Sequence, residues 1–194
     1  LTEASPRVLY LPPEHFDNYG EYAGKPLPSL DIRIVNSDGK ELPINTEGQL
    51  LVKGKSVMSG YYNDREMTNK VLKNEWLYTG DIAVMNDKGF VKIECRKDDL
   101  IIKAGMNIYP QEIENTLKAD ARVEEALAYG MSDPICGMKI GLKIKGGFMN
   151  KEEVIKLCYE VLPKYEYPAI VELVEDIPKN GSGKVIRRST YDRG

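Results

Sequence analysis

The residues best suited to chemistry lie near the C-terminus, at positions 178–188. Gly181 and Gly183 flank a serine, a spacing that predicts a mobile loop. Lys184 follows as a compact cation on a long stem, so it could swing onto an anion. A basic, flexible terminus explains the same residues without chemistry, because terminal loops are commonly disordered. The stretch also resembles a truncated phosphate loop, but the first glycine and the preceding strand are missing.

Two further clusters carry groups that could bind a ligand. In Thr79-Gly80-Asp81, the glycine allows a tight turn that exposes a carboxylate after a strand-like segment. A carboxylate can accept hydrogen bonds from both hydroxyls of a ribose. In the other cluster, positions 96–110, charged residues flank a short apolar run. Taken singly, the first pattern is simply a turn and the second is a solvated turn before a strand.

The elements that position these clusters differ between the two halves of the chain. Alternating apolar residues and turn signals predict strands at 29–35, 48–53 and 90–94, with a short helix at 64–73. Several short strands at such spacing predict a small barrel or sandwich.

After about residue 97 the pattern changes to alternating helix and strand. Pro110 begins a helix with acids in its first turn, and Asn150 caps another that runs to Val161. Strands are predicted at 123–129, 139–144 and 170–174. The fold class is therefore α+β, with a β-rich part at 1–97 and a small α+β domain at 98–194. Because both halves are mildly acidic, this boundary depends on periodicity alone.

Composition excludes several classes of protein. The 194 residues include 27 Lys and Arg against 30 Asp and Glu, a net charge of -3, which argues against nucleic-acid binding. Three widely spaced cysteines and a single histidine disfavour disulfide scaffolds and zinc sites. No apolar run approaches the ~20 residues that a membrane span needs, and the start is not a signal peptide. A cytoplasmic protein is the expectation, and the missing initiator methionine suggests a fragment.

The three clusters, taken together and in this order, resemble the closing motifs of the adenylate-forming superfamily. That family contains acyl-CoA synthetases, which are the closest in pattern, nonribosomal peptide synthetase adenylation domains, and luciferases. The opening Leu1-Thr2-Glu3-Ala4 looks like its Thr-Glu motif, with the preceding aromatic-glycine pair cut away. Gly60-Tyr61-Tyr62-Asn63 and Val123-Glu124-Glu125-Ala126 also match the family's pattern. The resemblance covers essentially the whole chain.

The resemblance implies a reaction and a role for each motif residue. Members use ATP and magnesium to convert a carboxylic acid to an acyl-adenylate, then transfer the acyl group to CoA or to a carrier protein's pantetheine arm. Glu3 would hold the magnesium ion and Thr2 would contact the adenylate phosphate. Asp81 would bind the ribose hydroxyls, and Arg96 would add contacts to the nucleotide. Lys184 would bridge the attacking carboxylate and the α-phosphate.

The resemblance also gives the domain boundary a function. Members rotate the small C-terminal domain about a hinge, which falls at Asp98, so that one active site serves two half-reactions. In the second state Gly105 would line the entry channel of the thiol, although an ordinary turn glycine is an equal alternative.

The chain departs from the family pattern in two places. Cys95 stands where the family usually has glycine before the arginine, and no phosphate-binding loop, adenine pocket or acyl pocket is present. A large N-terminal lobe carrying those parts is expected before Leu1, so the chain alone is predicted to be inactive. CoA is the preferred acceptor. A carrier-protein ligase and a non-catalytic module that binds a nucleotide or a partner are the alternatives.

Overall fold

The computed structural model describes residues 1–147, 150–181 and 185–187, and the chain divides into two compact units. Unit 1 is Leu1–Asp98 and unit 2 is Asp99–Gly194. The division falls one residue after the boundary that periodicity predicts. Each unit has its own cluster of buried apolar side chains.

Unit 1 is mostly antiparallel strands. Strand β1 (Leu9–Tyr10) pairs with β2 (Lys25–Pro26), and between them lie a 3-10 turn (Pro13–His15) and the short helix α1 (Phe16–Tyr19). The main sheet contains the remaining strands and is accompanied by helix α2 (Arg65–Val71). Its strands are β3 (Leu30–Val35), β4 (Gly48–Gly54), β5 (Leu72–Lys73), β6 (Trp76–Met85) and β7 (Val91–Arg96).

The ten-residue strand β6 organises this sheet. One edge of β6 pairs with β4, which pairs in turn with β3. The other edge pairs first with β5 and then with β7. The spacing of the strands predicts a barrel or sandwich. The pairing gives a five-stranded sheet and a two-stranded ribbon, which a bridge between Gly24 and Val91 connects. Along this edge of β6, the partner changes from β5 to β7 between Leu77 and Asp81.

Unit 2 is a five-stranded sheet with two helices. The sheet has the order β10-β11-β8-β9, with β12 parallel to β11 and the other pairs antiparallel. Short 3-10 turns occur at Lys97–Asp99, where the two units meet in sequence, and at Lys164–Glu166. The elements are β8 (Ile101–Lys103), β9 (Met106–Ile108), α3 (Pro110–Lys118), β10 (Glu125–Asp133), β11 (Gly137–Lys145), α4 (Lys151–Val161) and β12 (Ile170–Leu173).

Both predicted helices of unit 2 form, and their ends have identifiable causes. Pro110 occupies the first position of α3, where its missing N–H costs nothing. The Asn150 side chain accepts a hydrogen bond from the Glu153 amide (2.9 Å) and caps α4. The core side chains come from both helices and from the strands. They include Ile113, Leu117, Ile140, Leu142, Ile144, Val154 and Leu157.

The structure bears on two classes that the composition disfavours. Among the described residues no helix is both long and apolar enough to cross a membrane. Cys95, Cys136 and Cys158 are free thiols, and Cys95 and Cys158 are buried. Burial raises the pKa of the Cys158 thiol to about 11, so this thiol stays protonated at neutral pH.

Candidate functional site

Thr79-Gly80-Asp81 forms a bulge within β6 rather than a turn that follows a strand. The register between β4 and β6 shifts here, since Gln49 pairs with Ile82 but Leu51 pairs with Tyr78. Gly80 has φ +76, a conformation that glycine adopts at little cost. The Thr79 hydroxyl donates to the Leu50 carbonyl (2.9 Å) and accepts from the Asp81 amide (3.0 Å), so it replaces ladder hydrogen bonds that the bulge removes.

The bulge presents Asp81 to Arg96, its partner across β6 and β7. Arg96 Nη1 lies 2.7 Å from Asp81 Oδ1 and 3.1 Å from the Thr79 carbonyl oxygen. The Arg96 side chain is 57% exposed and the Asp81 side chain is 18% exposed. An ion pair this open to solvent contributes little to stability, so its groups can exchange partners with a ligand. The structure thus brings together two of the residues that the motifs select.

Glu3 is held by backbone and side chain in the same unit. A turn at the start of the chain is closed by hydrogen bonds from the amides of Ala4 and Ser5 to the Leu1 carbonyl, and Ala4 is fully buried. The Met58 amide donates to the Glu3 carbonyl oxygen (2.8 Å). The carboxylate of Glu3 therefore extends from a fixed backbone, and its neighbour Thr2 is exposed.

Tyr61 contacts Glu3 and lies near enough to Arg96 for the charge of Arg96 to act on its hydroxyl. Its hydroxyl donates to Glu3 Oε1 at 3.0 Å. Burial, followed by the hydrogen bond to Glu3, raises the pKa of Tyr61, while the positive charge of Arg96 acts in the opposite direction. Glu3 and Arg96 each therefore lie within electrostatic range of the Tyr61 hydroxyl. Sequence reasoning misses the contribution of Tyr61, although it selects the Gly60-Tyr61-Tyr62-Asn63 motif.

Helix α2 fixes the backbone of Tyr61. The Thr68 hydroxyl accepts a hydrogen bond from the Tyr61 amide (2.9 Å), and Asp64 caps the helix by accepting from the Met67 amide (2.8 Å). Gly60 packs so closely that an added Cβ would lie 2.8 Å from the Thr68 methyl carbon. This contact explains why glycine precedes Tyr61. Asp64, three positions before Met67, is a helix-cap signal that the sequence could have supplied.

The oxygen donors in unit 1 suit magnesium. Among the residues that the structure describes, no three His, Cys, Asp or Glu side chains cluster as a metal site. Mg²⁺ is commonly held by one or two carboxylates together with substrate phosphate oxygens, so a cage of protein ligands is not required. Glu3, half-buried and already oriented by Tyr61, fits that arrangement.

Asp98 and Gly105, which the resemblance also selects, lie at or beyond the division between the units. Asp98 is exposed in the 3-10 turn Lys97–Asp99. Gly105 (φ +81) and Ala104 (φ +51) form the two-residue turn between β8 and β9, a turn type that needs positive φ at both positions. No heavy atom would lie within 4 Å of a Cβ added to Gly105. The turn alone accounts for this glycine, and its role at a thiol channel stays a prediction.

Lys184 lies outside the described residues, and the segments on either side of it are held in place. Lys179 and Val185 form an antiparallel bridge, and the Ile186 amide donates to the Pro178 carbonyl (2.9 Å). Lys179 Nζ also lies 2.7 Å from Glu125 Oε2. The described residues before and after the predicted catalytic lysine are therefore held by contacts with each other and with Glu125 of unit 2.

Arg187 provides the strongest attachment of this segment. Its guanidinium contacts both carboxylate oxygens of Glu114, the Ala128 carbonyl oxygen (3.0 Å), and Asp99 (3.4 Å). The Arg187 and Glu114 side chains are only 14% and 8% exposed. Sequence reasoning misses this pair because Glu114 resembles any acid near a helix start. The available signal is its position on the buried stripe of α3 beside Ile113.

Two family models match the chain, one in each unit. The AMP-binding enzyme model matches residues 1–62, and the AMP-binding enzyme C-terminal domain model matches residues 112–184. A long-chain-fatty-acid CoA ligase of Escherichia coli O6:H1 is 37% identical over 194 residues, which are 99% of this chain and 34% of the relative. A 2-succinylbenzoate CoA ligase of Bacillus cereus is 38% identical over 189 residues, 97% of this chain and 39% of the relative. The chain thus spans between a third and two-fifths of these relatives.

Solved structures give a similar correspondence. The o-succinylbenzoate CoA synthetase of Bacillus subtilis, in complex with its acyl-adenylate intermediate, matches with a TM-score of 0.90 and 33% identity, over 99% of this chain and 40% of that one. The same enzyme with ATP and magnesium matches with a TM-score of 0.87 and 34% identity, over 96% and 39%. MatB of Rhodopseudomonas palustris with ATP matches with a TM-score of 0.77 and 30% identity, over 85% and 34%.

Proposed function

The chain belongs to the adenylate-forming enzymes, and from that premise we propose that it serves an ATP-dependent acid–CoA ligase. The relatives bearing CoA ligase names support the reaction class. The observation that supports it most within the chain is the exposed Asp81–Arg96 pair beside Glu3 and Tyr61. These groups offer a ribose acceptor, a guanidinium donor and a magnesium ligand within one unit.

Asp81 and Arg96 are proposed to bind the nucleotide. The bulge at Gly80 sets the direction of the Asp81 side chain, whose carboxylate accepts hydrogen bonds from the two ribose hydroxyls. Arg96 orients this carboxylate before the ligand arrives, and its guanidinium also donates to the nucleotide. Binding then costs little reorganisation of the site.

Glu3 and Thr2 are proposed to act at the phosphates. The Tyr61 hydroxyl occupies Glu3 Oε1, which leaves the second oxygen oriented for a magnesium ion. Magnesium, when bound, neutralises charge on the phosphate oxygens and so favours departure of pyrophosphate. The exposed hydroxyl of Thr2 donates to an oxygen of the adenylate phosphate.

Lys184 is proposed to stabilise the charge that develops during adenylation. A carboxylate oxygen of the acid attacks the α-phosphorus, a new P–O bond forms, and the bond to the bridging oxygen of pyrophosphate breaks. The ammonium of Lys184 bridges the attacking carboxylate and the α-phosphate during this step. In the second half-reaction the thiol gives its proton to water and its sulfur attacks the acyl carbon. A C–S bond forms, and the bond from that carbon to the phosphate oxygen breaks, so AMP leaves.

A domain rotation is proposed to separate these two steps. The domain 98–194 would turn about Asp98, withdraw Lys184 after adenylation and bring Gly105 to the thiol channel. Residues 1–97 would belong to the AMP-binding lobe, whose larger N-terminal part would supply the phosphate loop and the acid pocket. Without that lobe, residues 1–194 are expected to form no adenylate.

CoA is the proposed acceptor, and a carrier-protein pantetheine arm is the alternative. The choice is tested with both acceptors in one chimera, in which residues 1–194 replace the matching portion of the Bacillus subtilis o-succinylbenzoate CoA synthetase. We expect the chimera to acylate CoA in the presence of ATP and acid. Acylation of only a holo carrier protein would contradict the choice of CoA.

The same chimera tests the role of Lys184. Lys184→Ala is expected to abolish adenylate formation, measured as pyrophosphate release, yet largely to spare thioester formation from added acyl-adenylate. Lys118→Ala, on the exposed end of α3, is the matched control and should affect neither step. Equal loss of both half-reactions in the Lys184 variant would contradict the assigned role. A chimera that binds ATP but forms no adenylate would contradict the proposed function itself.

A further inference from the structure

A basic pocket lies in unit 1, and Arg96 is one of the residues that line it. It encloses about 350 Å³ between the end of α2, strand β5 and the end of β7. Its described lining includes four cations, namely Lys70, Lys73, Arg96 and Lys97, against one carboxylate, Asp98. The chain as a whole carries a net charge of -3, so this concentration of positive charge is a local feature.

Two of these cations face neutral groups. Lys73 Nζ lies over the Tyr78 ring, 5.0 Å from its centroid. Lys97 Nζ donates to Gln49 Oε1 at 3.1 Å. The other two have carboxylate partners, because Lys70 pairs with Glu66 and Arg96 pairs with Asp81. Apart from those two pairs, the lining holds Lys73 and Lys97 against the single carboxylate of Asp98, so positive charge is in excess.

The neutral polar side chains of the lining also present donors. Asn36 Oδ1 already accepts hydrogen bonds from the Asp38 amide (3.0 Å) and the Lys40 amide (2.9 Å), which leaves its NH2 group as a donor. Gln49 Oε1 is likewise engaged by Lys97, so its NH2 group remains available. Ammonium, guanidinium and amide donors around one small cavity suit a tetrahedral anion that accepts several hydrogen bonds.

We propose that this pocket binds a phosphate group, carried either by a nucleotide or by free inorganic phosphate. A phosphate carries more charge than a carboxylate and has more acceptor oxygens, so it matches the excess of cations and donors better. Arg96 lines the pocket and also pairs with Asp81, so the phosphate site and the proposed ribose site share one guanidinium. The inference depends on the geometry of unit 1 and does not require the proposed ligase activity.

The test uses the ¹⁵N-labelled chain of 194 residues, titrated with inorganic phosphate at constant ionic strength maintained with chloride. We expect saturable shifts in the low-millimolar range at the amides of Ser37, Gly80 and Lys97. AMP and adenosine distinguish the source of the phosphate. Tighter binding of AMP than of phosphate identifies a nucleotide, and equal binding identifies the phosphate group alone. Binding of adenosine as tight as that of AMP would overturn the proposal.

The double variant Lys73→Gln/Lys97→Gln removes the two cations that face neutral groups. It is expected to weaken phosphate binding about tenfold, whereas Lys73→Arg/Lys97→Arg keeps the charges and should restore it. Lys55→Gln/Lys88→Gln makes the same change of net charge elsewhere on unit 1 and should shift affinity less than about twofold. Equal losses in the two glutamine variants, or the absence of saturable shifts, would overturn the proposal. Loss of adenylation in the chimera without loss of phosphate binding would affect the ligase proposal alone.

Discussion

Two arginine–carboxylate pairs, one in each unit, use the same chemistry for different ends. Arg96 and Asp81 meet at a bulge in β6, where the arginine side chain is 57% exposed. Arg187 and Glu114 meet against α3, with side chains only 14% and 8% exposed. A buried pair is costly to break because a lone charge is left out of water, whereas an exposed pair exchanges partners readily. The exposed pair therefore suits the proposed exchange with a ligand, whereas the buried pair suits a role in stabilising the fold.

The largest expected effect is on the buried pair. Arg187→Met leaves the buried Glu114 side chain without its main partner, so the free energy of unfolding of unit 2 should fall by about 3–5 kcal/mol. Urea denaturation followed by circular dichroism measures the change. Arg122→Met is the matched control, since Arg122 pairs with Asp120 on the surface and is 51% exposed.

A second variant separates the lost pair from lost packing. Arg187→Met/Glu114→Gln removes both charges, and it should recover much of the stability that the single variant loses. If Arg187→Met were no more destabilising than Arg122→Met, the contrast between the two pairs would be lost.

The next effect is on the exposed pair. Arg96→Met removes the proposed nucleotide donor, so adenylation by the chimera should slow about 100-fold while the free energy of unfolding changes by less than about 1 kcal/mol. Pyrophosphate release measures the rate, and thermal unfolding measures stability. Arg33→Met, which breaks a pair with Glu41 on the same sheet, should leave the rate unchanged. A stability loss as large as that of Arg187→Met would argue that the exposed pair is structural.

Tyr61→Phe tests whether the Tyr61 hydroxyl orients the Glu3 carboxylate. Loss of the hydroxyl frees the Glu3 carboxylate to move, so we expect about a tenfold lower rate, with the apparent magnesium requirement rising. Titration of magnesium at saturating ATP measures the requirement. Tyr62→Phe is the control, because Tyr62 is 94% exposed. An unchanged magnesium requirement would remove Tyr61 as a positioning residue.

The smallest effect concerns the turn in unit 2. Gly105→Ala places a side chain at φ +81, so unit 2 should lose about 1 kcal/mol of stability. If Gly105 also lines the thiol channel, thioester formation should slow while adenylation is spared. Gly89→Ala, at φ +78 in a turn of unit 1, is the matched control for backbone strain. Equal rates for both half-reactions in the Gly105 variant would leave this residue as a turn glycine.

Sequence predicts most elements because their signals are local. The strands at 30–35 and 48–54 and the helices at 110–118 and 151–161 follow from periodicity and from caps such as Asn150. The bulge at Gly80 could not be predicted, since it depends on which residues of β4 face β6. The hairpin Ile101–Ile108 escapes prediction because Ala104 is an unusual residue for a turn that needs positive φ.

The residues of the candidate site also divide into those that local motifs select and those whose contacts depend on the fold. Asp81, Arg96 and Glu3 are selected by their motifs, and the structure gives Asp81 and Arg96 a shared contact. The contact of Tyr61 with Glu3 spans 58 positions and carries no local signal. Glu114 and Arg187 are 73 positions apart, so the anchor of the lysine segment emerges only when the fold is known.

The proposed contact of Asp81 with the ribose is tested most directly by nucleotide binding. The binding of AMP and of 2′,3′-dideoxy-AMP is compared for the chimera and its Asp81→Asn variant. Calorimetry measures both dissociation constants for each protein. If Asp81 accepts from the ribose hydroxyls, the chimera should bind AMP about tenfold more tightly than the dideoxy nucleotide, and Asp81→Asn should remove this preference. A preference of the same size in the Asp81→Asn variant would contradict the account.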